Sequence, residues 1–416
     1  MFSVSVKIHE VMIELRPLQD SFISGRFDLR KGSFLRDTSI QIAIVCLMHF
    51  LTDIHLAFLP TFVPMLVTKL GISLAMAGLL NSVSGLILMF GQPLAAYFSD
   101  RTPYPWYLMA GPVLACIGAT LIPSSTSYMV ALLYVSLWAT GTAIYHPQGS
   151  GGIGHLCQGR NLSSYLSFFG LGGILAGSLS PLYGVFLVNN LSLKLIPFVA
   201  LVPVIIGVVL VYFAIPRLQE DHEVIRHPGG LLHNFSMVFR KVYAIWVVAF
   251  LRAFSGQGLR FFLPLVIASR GGSLVEIGGV LFLITAGAAI SPIICGRLAD
   301  VFGNRKVLTG ILAILPFFLV PAVFARGIGF VVLYFIGYAL LTATEPITNA
   351  MAQKICPESR SMASSIVLGF AFGFGALFTS PLGALADMWG LQLTMLVIAI
   401  VPVFSLGVVL FRKDLR

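Results

Sequence analysis

Long apolar blocks, each able to form a helix of membrane-crossing length, recur from about residue 40 to the end of this chain. A bilayer core takes about 20 apolar residues of helix to cross. Twelve blocks qualify, at about 40–68, 74–98, 105–123, 128–147, 162–188, 193–215, 240–268, 275–298, 306–325, 328–352, 362–385 and 389–411. In hydrocarbon every backbone N–H and C=O needs an internal partner, so a spanning segment is a helix or part of a closed barrel. Continuous blocks rather than alternation exclude the barrel. The composition agrees: 57% of residues are hydrophobic and 10% charged, where soluble chains carry about 25% charged. A soluble enzyme, a disordered chain and a secreted disulfide scaffold are excluded. Cys46, Cys116, Cys157, Cys295 and Cys356 stand singly, without metal-ligand or disulfide spacing. They read as packing residues, and no metal site or bound cofactor is expected.

The net charge of +10 reports topology rather than nucleic-acid binding. Twenty of the Lys and Arg residues fall in the tails and even-numbered connections. Lys69, Lys194, Arg270 and Arg326 alone fall in the odd-numbered ones. The positive-inside rule then puts both termini in the cytoplasm of a multi-pass protein of the cytoplasmic membrane. Residues 1–37 are polar, and Glu10, Glu14 and Asp20 interrupt any signal-peptide core. They read as a cytoplasmic tail, or in part as a mis-set start. The expected organisation is that tail, a six-helix bundle over 38–215, a cytoplasmic linker over 216–239, a second bundle over 240–411 and a short tail over 412–416.

Shifting the chain by 200 residues aligns Pro64 with Pro264, Gly71 with Gly271, Ser73-Leu74 with Ser273-Leu274, Gly78 with Gly278 and Asp100 with Asp300. Gly173 meets Gly373, and Ser180-Pro181-Leu182 meets Ser380-Pro381-Leu382. Two parallel six-helix repeats are the architecture of the major facilitator transporters. Gly296-Arg297-Leu298-Ala299-Asp300-Val301-Phe302-Gly303-Asn304-Arg305-Lys306 is similar to that superfamily's cytoplasmic signature. Its first-half counterpart, ending in Asp100-Arg101, lacks the second Gly and the basic pair. A carboxylate at a helix end can pair with Arg or with a helix N-terminus in one conformation and release in another. Asp100, Arg101, Gly296, Asp300, Gly303, Arg305 and Lys306 are therefore expected to form a conformational latch.

Finer features resemble the fosmidomycin-resistance family of bacterial drug exporters. They are His49-Phe50-Leu51-Thr52-Asp53, Gln92-Pro93 through Asp100-Arg101, Pro105-Trp106, Gly141-Thr142-Ala143-Ile144-Tyr145-His146-Pro147-Gln148 and Gly369-Phe370-Ala371-Phe372-Gly373. The resemblance covers about 40–411 and implies proton-coupled export. Two departures stand out. Thr52 replaces the family's usual Asn, and Gln148 replaces a Glu, so any proton that Glu carries in relatives needs another carrier here.

Ionisable groups inside a membrane are functional candidates by default. His49 and Asp53 are one turn apart on span one and share a helical face. A carboxyl beside an imidazole can exchange a proton, and each proton crossing 100 mV supplies about 2.3 kcal/mol. Both are candidates for proton coupling or substrate contact, Asp53 for either role, with a structural hydrogen bond as the alternative. His55 lies about 200° round the helix from Asp53 and is expected to face elsewhere; it is kept as a substrate contact. Arg252 and Arg260 on span seven, with Gln257, are candidates for holding an anionic group such as a carboxylate or phosphonate. The alternative for Arg252 is an ion pair with Asp53 or Glu345. Gly256 and Gly258 permit a helix break between the two arginines. His146-Pro147 and Glu345-Pro346 sit at matching places in spans four and ten, as further proton carriers or as polar hinges. Gly173 with Gly177, and Gly369 with Gly373, suggest close helix contacts.

No P-loop, hydrolase or zinc-protease motif occurs in the sequence. The expected protein is an all-α, twelve-helix secondary transporter. It would work as a monomer in the lipid bilayer, moving a small molecule by alternating access and powered by protons rather than by ATP or a cofactor. Efflux is favoured. Proton-driven import of a small organic anion and a non-transporting membrane receptor or assembly factor are the alternatives.

Overall fold

The computed structural model describes residues 35, 37–99, 104–157, 162–215, 230–356 and 360–412. Among them there are helices and turns but no strand. Eleven helical segments are long and apolar enough to cross a membrane. The 40-residue helix Gly230–Ser269 contains the seventh of the twelve expected spans. The others follow the expected order: Thr38–Leu70, Leu74–Ala95, Trp106–Ser124, Tyr128–Leu156, Phe168–Asn190, Ile196–Ala214, Leu274–Phe302, Asn304–Phe324, Gly327–Ile355, Met362–Trp389 and Leu391–Phe411.

The repeated punctuation has local causes. Gly71 and Gly271 adopt φ of +60° and +83°, a left-handed conformation that disfavours a Cβ. Each is followed by a serine that starts the next span. Ser73 Oγ accepts from Met76 N, and Ser273 Oγ accepts from Glu276 N.

Two helix boundaries differ from the expected ones, and a permitted break is absent. Span four does not stop at Pro147 but continues to Leu156. The end of the expected linker 216–239 is helix from Gly230 onward. There Phe235 and Phe239, one turn apart, stack on each other and pack on Phe370 of span eleven, so an apolar face extends the helix. Span seven also has no break at Gly256 and Gly258. A Cβ at Gly258 would sit 2.9 Å from Ile398 Cδ1, so that glycine serves close packing, and the helix keeps the hydrogen bonds that hydrocarbon penalises losing.

The break falls instead in span one, between helices Thr38–Asp53 and Phe58–Leu70. Pro60 has no N–H for the Leu56 carbonyl one turn earlier. The freed groups find side-chain partners. Arg260 Nη2 donates to Leu56 O at 3.4 Å, and Ala57 N donates to Ser180 Oγ at 2.8 Å.

The described hydrogen bonds between first-half and second-half spans gather toward the face of the odd-numbered connections. They run from residues 56–82 to Arg260 and to 376–387 of span eleven. Ser82 Oγ donates toward the Ala376 and Leu377 carbonyls at 3.0 Å each. Thr379 Oγ1 donates to Gly78 O at 2.9 Å, and Ser380 Oγ to Ala75 O at 3.2 Å. Gly78 and Gly383 lie so close to the facing backbone of Thr379 and Leu74 that neither tolerates a Cβ. Small residues thus bring two backbones together, as in other membrane helix pairs.

At the end of this seam Asp387 accepts from the first two amides of span two, Leu74 N at 2.8 Å and Ala75 N at 2.9 Å. Those amides belong to the unsatisfied donors of a helix start, where a carboxylate is favoured.

Candidate functional site: a histidine–aspartate cluster and an arginine–glutamate pair

Packing of spans one, four and five assembles the first cluster. His49 and Asp53 come from span one, and their one-turn spacing sets His49 Nε2 3.2 Å from Asp53 Oδ2. His146 comes from span four, with Nε2 3.4 Å from Asp53 Oδ1 and 3.2 Å from His49 Nε2. His49 and Asp53 are buried, whereas the His146 side chain keeps 26% of its exposure, so the cluster has one open side.

Each imidazole is oriented by a backbone carbonyl. His49 Nδ1 lies 2.7 Å from Phe169 O, and His146 Nδ1 lies 2.8 Å from Thr142 O. Rings complete the clamp: His49 stacks on Phe169 at 3.9 Å and lies parallel to Tyr145 at 5.9 Å between centroids. The Tyr145 hydroxyl is directed away, donating to Val45 O at 2.7 Å.

Gly173 of span five makes the room. A Cβ there would stand 2.7 Å from His49 Nε2 and 3.0 Å from Asp53 Oδ2. Its partner in the expected small-residue patch, Gly177, would meet only Leu56 Cδ2 at 3.4 Å. Gly173 therefore serves the site rather than helix contact alone. Gly373 does pack on span two, where a Cβ would meet Met89 Cβ at 2.5 Å, while Gly369 has open space beside it.

The second cluster joins spans seven and ten. Arg252 Nη1 donates to Glu345 Oε2 at 2.7 Å, with the Arg252 side chain 8% exposed and that of Glu345 46%. The pairing is with Glu345 and not Asp53. Arg252 Nε is buried without a partner, so the guanidinium retains an unused donor. In the 200-residue register Arg252 corresponds to Thr52, beside Asp53, and Glu345 to Tyr145, beside His146. The two clusters thus occupy equivalent places in the two repeats.

The remaining candidates are dispersed. Arg260 and Gln257 line a cavity of about 20 Å³ with Leu56, Pro60, Asn81 and Ser84, room for about one water. His55 is buried and turned away from Asp53, toward Phe58 and Tyr183 at 5.3 and 6.0 Å between centroids. It borders an apolar cavity of about 510 Å³ between spans one, five and six. Gln148 is held by the neighbouring span. Its amide bridges to the start of span three, accepting from Leu108 N at 2.9 Å and donating to Tyr104 O at 3.0 Å.

Of the expected latch, Asp100 and Arg101 lie outside the described residues. Arg305 donates to Val409 O and Leu410 O at 2.9 and 3.2 Å, capping the end of span twelve within its own repeat. Gly303, at φ +94°, turns the chain from span eight to span nine. Gly296 has open space beside it, and Asp300 and Lys306 are exposed. Among the described residues these groups form no contact between the repeats in this conformation. Among the described residues the inter-repeat carboxylate contact is that of Asp387, which sequence reasoning missed.

A model of the Major Facilitator Superfamily matches residues 45–341 and 245–416. The chain belongs to that superfamily. It is 25% identical over 383 residues to the fosmidomycin resistance protein of Escherichia coli, covering 90% of this chain and 93% of that one. It is equally similar, 25% over 381 residues, to an uncharacterized MFS-type transporter, YfnC, of Bacillus subtilis, with 90% and 93% covered. Among solved structures, a bacterial homolog of the human lysosomal transporter Spinster, inward-facing and occupied, superposes with a TM-score of 0.73 at 16% identity, covering 89% of this chain and 96% of that one. The nucleoside transporter NupG gives 0.67 at 15%, covering 90% and 100%. At these identities the structures establish the shared fold. The family establishes membrane transport of a small molecule as the coarse function.

Proposed function

We propose that this transporter exports a small drug-like or anionic compound in exchange for protons, by alternating access between the repeats 38–215 and 240–411. The observation that carries the reading is the pair of equivalent charged clusters inside the membrane. One contains histidines, whose charge can change in the physiological range. The other contains a guanidinium, whose charge cannot. A proton at Asp53, His49 or His146 changes the charge of the first-repeat cluster, and an anionic cargo group on the spare donor of Arg252 frees Glu345. Each event biases the same two conformations, which is what coupling requires. Similarity to a fosmidomycin resistance protein supports outward movement and a cargo of that kind.

Growth of cells with and without the protein across antibiotics, phosphonates and carboxylates identifies the cargo. Purified protein in liposomes under a pH gradient of either sign then tests coupling. The expected result is uphill accumulation of cargo on the acidic side. Flux that ignores the gradient overturns the exchange, and accumulation together with protons, on the alkaline side, establishes symport instead. Import is the second reading. Its cargo would be a small organic anion, which the spare donor of Arg252 suits and to which 26% identity over 109 residues to a putative tartrate transporter of Agrobacterium vitis lends support.

A further inference from the structure

We propose that His49, Asp53 and His146 form a binding site for a divalent transition-metal ion of the zinc class, inside the cavity of the proposed transporter. The inference deepens that reading, and rests on it only for the cavity being reached by solutes. Local spacing supplies only His49 and Asp53; the third ligand, His146, lies 97 residues after His49. The site exists because spans one, four and five pack as they do.

The geometry begins with the tautomers. Phe169 O and Thr142 O are carbonyl oxygens and can only accept, so the proton of each neutral imidazole is at Nδ1. Both Nε2 atoms then present bare lone pairs. These face each other at 3.2 Å and face the two oxygens of Asp53 at 3.2 and 3.4 Å. Nearby hydroxyl protons are used elsewhere: Tyr145 donates to Val45 O, Thr142 to Trp138 O and Thr52 to Met48 O. The result is three converging electron-pair donors with no described hydrogen-bond donor among them. Such a set calls for a cation.

A proton bridges two of these atoms at a time, whereas a metal ion can join all three. With bonds of about 2.0–2.1 Å, neighbouring ligand atoms of a tetrahedral site stand about 3.3 Å apart. The two Nε2 atoms stand 3.2 Å apart, close to that spacing, and each meets a different Asp53 oxygen, at 3.2 and 3.4 Å. One ligand atom from each residue falls within a 4.8 Å group, so a small turn of the carboxylate brings one oxygen to an ion shared with both imidazoles. Two imidazoles and one carboxylate suit zinc, cobalt, nickel or iron rather than magnesium or calcium. An imidazole that donates its other N–H to a backbone carbonyl is the usual support of a metal ligand. The partial exposure of His146 leaves the fourth position open to water or cargo on that side.

The test is titration of the full-length, detergent-solubilised protein, purified without a histidine tag, with Co²⁺. The expected result is one equivalent bound, with the intense visible absorption of a four-coordinate ion, and displacement by Zn²⁺. Asp53→Asn and His146→Ala should each weaken binding by more than about tenfold, and Gly173→Ala should weaken it by obstructing the ring. Binding that is absent, or unchanged in Asp53→Asn and His146→Ala, overturns the site. Should those variants not fold, zinc-edge X-ray absorption of the wild-type protein decides: two imidazole nitrogens and one carboxylate in the first shell support the site, and any other ligand set overturns it. Equilibrium binding in detergent needs no gradient. A transporter without the metal site and a metal site without transport are therefore separately visible.

Discussion

The two repeats put charge at equivalent places but solve the problem of burying it differently. In the first, Asp53 on span one meets two histidines, and the cluster has convergent acceptors and a cradle at Gly173. In the second, the base is on span seven and the acid on span ten, joined by one 2.7 Å contact. The polarity of the pair is reversed between repeats, and so is its adaptability. An imidazole cluster can gain or lose a cation without losing its shape. A guanidinium keeps its charge and must keep an anion near it.

The sharpest way to break this contrast is Asp53→Asn. It leaves the helix intact and removes the only carboxylate of the cluster, so gradient-driven accumulation in liposomes should be lost while the protein still purifies as a monodisperse species. Next in size is Glu345→Ala. It strands a guanidinium whose side chain is 8% exposed, at a cost of about 1–3 kcal/mol for a buried group left without its partner; the thermal unfolding temperature in detergent should fall. Arg252→Ala should cost less, because Glu345 is half-exposed and water can solvate it. The double variant should be more stable than Glu345→Ala alone, and the reverse order would refute the assignment of Arg252 as the more deeply buried partner.

Gly173→Ala should slow transport by displacing the His49 ring, at a cost of about 1–3 kcal/mol of strain, while Gly177→Ala is tolerated. The smallest effect concerns the seam. Asp387→Ala removes the acceptor for two helix-start amides, worth about 1 kcal/mol for a cap, and should shift the population toward opening of that face. Spin labels at Met76 and Met388 would read a longer mean distance. Glu276→Ala, whose carboxylate caps span eight from within the same repeat, should leave that distance unchanged.

Much of this was legible in the linear chain. Hydropathy placed the spans, because lipid leaves helices little alternative. Spacing put His49 and Asp53 on one face, and the proline that follows each marked His146 and Glu345. What was hidden depends on packing. That His146 reaches Asp53 requires spans one and four to be neighbours. Gly173 looked like a helix-contact residue because a missing side chain gives the same signal whether the facing group is backbone or imidazole. Two glycines in span seven permit a break, yet the helix breaks in span one, since Pro60 removes a donor and a glycine removes none. Asp387 escaped notice because its partners lie more than 300 residues earlier in the chain.

The interruption at residues 54–57 ties movement to chemistry. Its loosened carbonyl is held by a guanidinium of the opposite repeat and its loosened amide by a hydroxyl of its own, only a few residues beyond Asp53. A rotation of one repeat against the other would change the Arg260 contact at this joint. The aspartate therefore sits a few residues from a contact that the two repeats share, so that a tilt between them reaches the backbone that carries its oxygens.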